Sequence, residues 1–245
     1  MTITNPTTST RIDEIAPRIF RISTPVPPNP ALPVGFSFNQ FLVAAEEPLL
    51  FHTGPRRMFP LVHEAVSHVL PPETLRYVGF SHNENDECGA MDEWLRAAPN
   101  AVALCGTLAS MLFGDDMSGR KPRALADGQR LELGGHTVVW FDAPHVPHGW
   151  DCGFLGEVGT RTLFCGDLFT QAGADHAPVT ESNVLAPSEA MRGAMDYFSH
   201  HPDTRRHIER LAAFEPRLLA CMHGASFSGD GRAELLALAG AVTAH

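Results

Sequence analysis

Residues 81–90 read S-H-N-E-N-D-E-C-G-A, which sets His82, Glu84 and Asp86 at alternate positions just behind a short apolar run. One imidazole and two carboxylates crowded into so short a segment are unstable unless something positive sits among them. A divalent metal is the usual partner, because neutral imidazole and carboxylate are its natural ligands. Further along come His148 in P-H-G-W-D, Asp167 in L-F-C-G-D-L-F and His223 in C-M-H-G, each at or just beyond the end of a short apolar segment. A strand ending there would deliver each side chain to one rim of a sheet. Three histidines and three carboxylates are too many for one zinc ion and suit two metals.

The elements that must position these residues show in the hydrophobic pattern. Residues 18–23 suit a first strand, behind a polar arm over residues 1–17 and ahead of a loop stiffened by Pro25, Pro27, Pro28, Pro30 and Pro33. F-S-F-N-Q-F-L-V-A-A and P-L-L-F-H-T-G, separated by Glu46 and Glu47, give a hairpin signal. Met58, Leu61, Val62, Ala65, Val66 and Val69 recur at helical spacing until Pro71 and Pro72 stop the pattern. Residues 75–80 make a strand running straight into His82, followed by a helix over 90–98 and a strand over 101–105. A second hairpin, 130–133 with 137–141, flanks Gly134-Gly135 and leads to the loop carrying His145 and His148. A third, 152–158 with 161–164, leads to Asp167. Helices over 188–200 and 203–213, a strand over 217–222 and a closing helix over 233–243 complete the chain. Strands and helices mix through both halves, which predicts one four-layer α/β domain over residues 18–245 rather than a doubly wound parallel sheet.

At 245 residues, with 44% hydrophobic and 19% charged side chains, the chain can bury the core of one large domain. Its 28 acidic against 18 basic residues give a formal charge of -10, which argues against nucleic acid or an anionic membrane as partner. The adjacent pairs Arg56-Arg57 and Arg205-Arg206 read as solvated surface. Neither a signal-peptide core nor a run of membrane-spanning length is present. Five cysteines (Cys88, Cys105, Cys152, Cys165 and Cys221) are odd in number and lack C-x-x-C, so no disulfide framework is expected and the cytoplasm is the expected location. Cys88, beside the first motif, is the thiol to test for reactivity. No G-x-G-x-x-G follows a strand, which leaves a dinucleotide fold without support.

H-x-E-x-D followed in order by His148, Asp167 and His223 resembles the metallo-β-lactamase fold, and more narrowly its oxygen-binding di-iron branch, found in flavodiiron proteins. The hydrolytic branch carries H-x-H-x-D-H, and Glu84 stands here where its second histidine would be. F-N-Q-F-L-V around Asn39 and D-Y-F-S-H around Tyr197 are also similar to the di-iron branch, so the likeness runs from Phe36 to His223. The resemblance implies an αββα sandwich in which His82, Glu84 and His148 hold one metal, Asp86 and His223 hold the other, and Asp167 bridges them. Two departures stand out. Glu87 replaces the histidine that usually follows the aspartate, so the second metal takes either a carboxylate or a water there. The second loop, P-H-V-P-H-G-W-D, offers two histidines, of which His148 is favoured because Asp151 follows it. His52, in L-L-F-H-T-G, stands where the fold often has an aspartate supporting the site.

A carboxylate-rich shell leaves two zinc ions little net charge with which to acidify a bridging water, whereas it stabilises two ferric ions. The expected cofactors are two metal ions, iron first, with zinc or manganese as alternatives. The resemblance implies binding or reduction of O2 or NO, with Glu87 and His145 as proton donors. Electrons would come from a separate donor protein, since the sequence contains no flavodoxin domain or rubredoxin cysteine pairs; a head-to-tail homodimer would let a neighbour cap the site. Two alternatives stay open: a zinc- or manganese-dependent hydrolase of a small ester, thioester, lactone or phosphodiester, and a non-catalytic metal-based O2 sensor. Phe36, Phe38, Phe113, Trp150 and Phe227 suit either an apolar pocket over the metals or core. Met111 and Met117 suit either a mobile flap or a plain loop.

Overall fold

The structure is a computed structural model that describes residues 2–113 and 119–242, without the side chain of Phe113. One sheet runs in spatial order through β1 (Thr2–Asn5), β2 (Thr10–Ala16), β3 (Ile19–Val26), β4 (Phe36–Val43), β5 (Leu49–Phe51), β6 (Tyr77–Gly79), β7 (Val102–Gly106) and β8 (Arg123–Leu125). Pairing is antiparallel from β1 to β5 and parallel from β5 to β8. The second sheet uses β9 (Arg130–Glu132), β10 (Thr137–Asp142), β11 (Gly153–Glu157), β12 (Thr162–Phe164), β13 (Val179–Thr180), β14 (Leu218–Ala220) and β15 (Ser226–Ser228). Its spatial order is β13-β15-β14-β12-β11-β10-β9. The helices are α1 (Phe59–Ser67), α2 (Asn85–Cys88), α3 (Met91–Ala97), α4 (Thr107–Phe113), α5 (Leu185–Met195), α6 (Thr204–Ala212) and α7 (Gly231–Ala241).

Side-chain alternation along the strands sorts the apolar residues into layers. In β4, Phe41 and Val43 join Ile19, Phe51, Leu104, Trp140, Leu155 and Phe164 between the two sheets. Leu42 points the other way, into a cluster with Val62 and Val66 of α1 and Trp94 and Leu95 of α3. On the far side, Leu163 and Leu219 meet Ile208 and Leu211 of α6 and Leu235 and Leu238 of α7. The result is the expected αββα sandwich. Each fully buried Leu or Phe contributes about 1.5–3 kcal/mol of transfer free energy, so these three layers of contact hold the frame with little demand on the loops at its rim.

Two expectations change. Residues 1–17, expected as a polar arm, form β1 and β2 at the edge of the first sheet. Their inward positions are largely hydroxylic, which hides the strand pattern: buried Thr10 meets the Thr24 hydroxyl at 3.1 Å and accepts at its carbonyl from Thr4. The helix expected over 188–200 starts at Leu185 and stops at Met195, because Asp196 takes a left-handed conformation with φ 48°. That break turns Tyr197 toward the site. Met117 lies outside the described residues, and Met111 is exposed. No helix among the described residues is long and apolar enough to cross a membrane.

Candidate metal centre

The segments that follow β6, β10, β12 and β14 converge at one rim of the sandwich, bringing together residues from four distant parts of the chain. β6 leads through Phe80 and Ser81 to His82 and Glu84, and the single turn α2 then presents Asp86 and Glu87. That turn is clamped from β5: Thr53 N–H donates to the Glu87 carbonyl at 2.8 Å, and Ala90 N–H donates to the Thr53 hydroxyl at 3.1 Å. Asp151 accepts from Asn83 N–H at 2.9 Å, tying the His148 loop to the first motif. Gly149 turns that loop at φ 75°, where a Cβ would stand 3.2 Å from the His82 ring.

His82 Nε2 lies 2.9 Å from Glu84 Oε2, 3.1 Å from His148 Nε2 and 3.5 Å from Asp167 Oδ2. His148 Nε2 is 2.9 Å from Glu84 Oε2 and 3.3 Å from Asp167 Oδ2. The other oxygen, Asp167 Oδ1, faces away from that group and sits 3.2 Å from His223 Nε2, which is itself 3.3 Å from Asp86 Oδ2. Asp167 thus turns one oxygen to each of two neighbouring donor groups. Glu87 stands beside both groups: its carboxylate lies within 4.8 Å of those of Glu84 and Asp86.

The outer ring nitrogens are held too. His148 Nδ1 donates to the Tyr197 carbonyl and His223 Nδ1 to the Ser37 carbonyl, both at 2.8 Å. A carbonyl can only accept, so in the neutral rings each Nε2 lone pair points inward, as a metal ligand requires. The Asn39 amide donates to the Cys221 and Gly224 carbonyls at 2.8 and 2.9 Å, which fixes the loop carrying His223. His82 Nδ1 is 3.0 Å from Ser81 Oγ, and that hydroxyl is 3.1 Å from His52 Nε2. Burial drives His52 down to about 3 and keeps its ring neutral.

Electrostatics agree with a cation in the middle. Burial opposes charge on His148 and His223, yet hydrogen bonds from Asp167 with Glu84, and from Asp167 with Asp86, raise them to about 9 and about 10. Glu84, hydrogen-bonded to His148 and His82, falls to about 2. Glu87 is fully buried with both carboxylate oxygens unpartnered, and burial next to Asp167 pushes its proton affinity up. Two Nε2 atoms 3.1 Å apart and an orphaned buried carboxylate are met together by divalent cations. The donor set therefore fits two metal ions.

Each of the six residues expected to bind metal lies in this cluster, with Glu87 beside them. His145 does not converge with them: its ring stacks on His201 at 4.6 Å between centroids. Phe36 and Phe38 pack on the His223 ring at 4.3 and 5.4 Å, whereas Phe227 belongs to the core and Trp150 is 56% exposed. A cleft of about 430 Å³, lined in part by Arg56, Asn83, Glu84 and Glu93, opens beside the half-exposed Glu84. All five cysteines are free and buried, and burial pushes the Cys88 thiol up to about 12, which disfavours the thiolate at neutral pH. Ser37, Ser81 and Tyr197 had no signal of their own as supports of the site. Two of them act through the backbone.

Sandwich and cluster together define a metallo-β-lactamase-fold domain with a six-residue imidazole and carboxylate centre at its strand ends. The family model described as ODP family beta lactamase matches residues 36–224, and the chain belongs to that family. A Thermosynechococcus vestitus protein named as a diflavin flavoprotein A 1 is 30% identical over 162 residues, which cover 64% of this chain and 28% of that protein. Among solved structures, rubredoxin oxygen:oxidoreductase from Desulfovibrio gigas superposes with a TM-score of 0.80 at 18% identity, over 94% of this chain and 62% of that one. A mutant of the flavo di-iron protein from Thermotoga maritima gives 0.81 at 18% identity, over 94% and 61%. The match thus spans about a quarter of the curated relative and about three-fifths of the solved chains.

Proposed function

We propose that this protein holds two iron ions at the cluster and binds or reduces O2 or NO with electrons delivered by a separate donor. The observation that carries this reading is Asp167, whose two oxygens serve His82 and His148 on one side and His223 on the other. His82, Glu84 and His148 hold the first ion, Asp86 and His223 the second, and Asp167 joins them. Bound iron would supply the electrons that pass to a diatomic ligand. Glu84 in place of an imidazole adds negative charge that stabilises oxidised iron, and the set of hard oxygen donors suits iron or manganese at least as well as zinc.

The protein's own part is positioning and access. The Tyr197 and Ser37 carbonyls hold two of the rings in the ligand tautomer. Phe36 and Phe38 keep water from the His223 side, while the half-exposed Glu84 marks the side open to a small ligand. The likeness to a rubredoxin oxygen:oxidoreductase and to a flavo di-iron protein supports iron as metal and O2 as ligand.

The test is elemental analysis of protein purified without chelator after expression with iron, manganese and zinc all present. About two irons per chain, followed by gas uptake after anaerobic reduction with a small-molecule donor, is the expected result. Two zincs with turnover of esters, thioesters, lactones or phosphodiesters would replace this reading with a hydrolase. Metal-dependent gas binding without turnover under any reductant would replace it with a sensor.

A further inference from the structure

Glu87 is the member of the cluster whose carboxylate meets no hydrogen-bond donor and has only the Asp86 carboxylate at hydrogen-bonding reach. Its side chain is fully buried on α2, both oxygens lack a hydrogen bond, and it shares its surroundings with Asp86, Asp167 and His82. An anion buried among other anions is sustained only by a cation or a proton. The backbone leaves it little freedom to swing away, because Thr53 holds the Glu87 carbonyl at 2.8 Å. The two donor groups on either side of Asp167 also differ in kind. His82 and His148 bring two imidazoles to the first, with Glu84. The second has one imidazole, His223, beside the Asp86 carboxylate, and Asp86 has the Glu87 carboxylate within 4.8 Å.

We propose that Glu87 is a carboxylate ligand to the ion held by Asp86, Asp167 and His223, which makes that half of the centre an oxygen-dominated site that narrows the usual advantage of Zn2+ over Mn2+ or Fe2+. The inference rests on the two-metal reading above, and it withdraws Glu87 from the proton-donor role expected from the sequence. Oxygen ligands suit manganese, while exchanging carboxylate for imidazole favours zinc.

Mn2+ and Zn2+ are titrated separately into the metal-depleted protein, and occupancy is read by elemental analysis and calorimetry in wild type, Glu87→Gln and Glu87→His. Glutamine keeps the size and hydrogen-bonding of a protonated Glu87 but cannot ligate as an anion. The expected result is a second Mn2+ equivalent weakened roughly 10- to 100-fold by Glu87→Gln, with the first unchanged. Glu87→His is expected to raise the Zn2+-over-Mn2+ preference of the second equivalent at least about tenfold, a readout that survives if the glutamine variant does not fold. Two equivalents bound with wild-type affinity and selectivity in both variants would overturn the role of Glu87 and leave the two-metal reading standing. A single equivalent in wild type would overturn both.

Discussion

Glu87 and Glu157 are both withdrawn from water, at 0% and 1% exposure, and the protein treats them in opposite ways. Glu157, at the end of β11, accepts from the N–H groups of Gly159 and Thr160 and from the Thr160 hydroxyl, with His136 Nδ1 at 3.1 Å. Burial alone would raise its proton affinity, but these donors outweigh it and hold the carboxyl below the usual range. Glu87 has no such donors, and its neighbours are other carboxylates. A buried carboxylate satisfied by its own turn is part of the fold. One left unsatisfied beside His82 and two further carboxylates is sustained only by a cation or a proton.

The comparison predicts that removing a carboxylate at the rim costs metal, whereas removing the one on the turn costs stability. The largest effect is expected from Asp167→Ala, which should drop occupancy from two equivalents to near none by elemental analysis, because both donor groups lose the oxygen they share. Retention of two ions would break the comparison outright. His148→Ala should remove one equivalent and His145→Ala none, since only the first ring meets Glu84 and Asp167; the reverse ratios would exchange their roles.

A smaller loss is expected from Ser81→Ala. If His82 Nε2 binds metal, its Nδ1–H donates to Ser81 Oγ, and that hydroxyl in turn donates to neutral His52. Breaking this chain should weaken the first equivalent by about tenfold in a calorimetric titration, without touching the second. Equal weakening of both would point to general damage.

The smallest effect is on the turn. Glu157→Gln should leave metal content unchanged and cost about 1 kcal/mol in denaturant unfolding at neutral pH. Because the folded-state pKa is lowered, wild type holds this advantage above the ordinary carboxylate pKa and loses it as pH falls through the lower folded value. The two unfolding curves should therefore converge in acid. A gap that stays constant with pH would mean that the Glu157 charge does not hold the turn.

Much of the site was legible because its residue types are costly to place where they stand. His82, Glu84, Asp86, His148, Asp167 and His223 each follow an apolar run, and polar groups at strand ends collect at one rim whatever the intervening loops do. The supports were not legible. Ser37 and Tyr197 hold histidine rings with their carbonyls, which every residue possesses, and their hydroxyls reach backbone groups, accepting from Gly224 N–H and donating to the Asp167 carbonyl, partners that no sequence pattern marks. The edge strands β1 and β2 escaped notice because Thr4, Thr10 and Thr24 satisfy one another's hydroxyls where a hydrophobic alternation would have been visible.

The sequence alone singled out the six candidate residues, since residue chemistry is a local property, and the resemblance that they carry implied the αββα layers and the shared rim. Only the tertiary structure brings the His148 ring, and not that of His145 three residues earlier in the same loop, to the cluster, through the turn at Gly149 and the Tyr197 carbonyl that accepts from His148. It also decided which oxygen of Asp167 faces which group, and that Glu87 meets no hydrogen-bond donor. Those are questions of direction and of what is missing around an atom, and both depend on segments far apart in the chain.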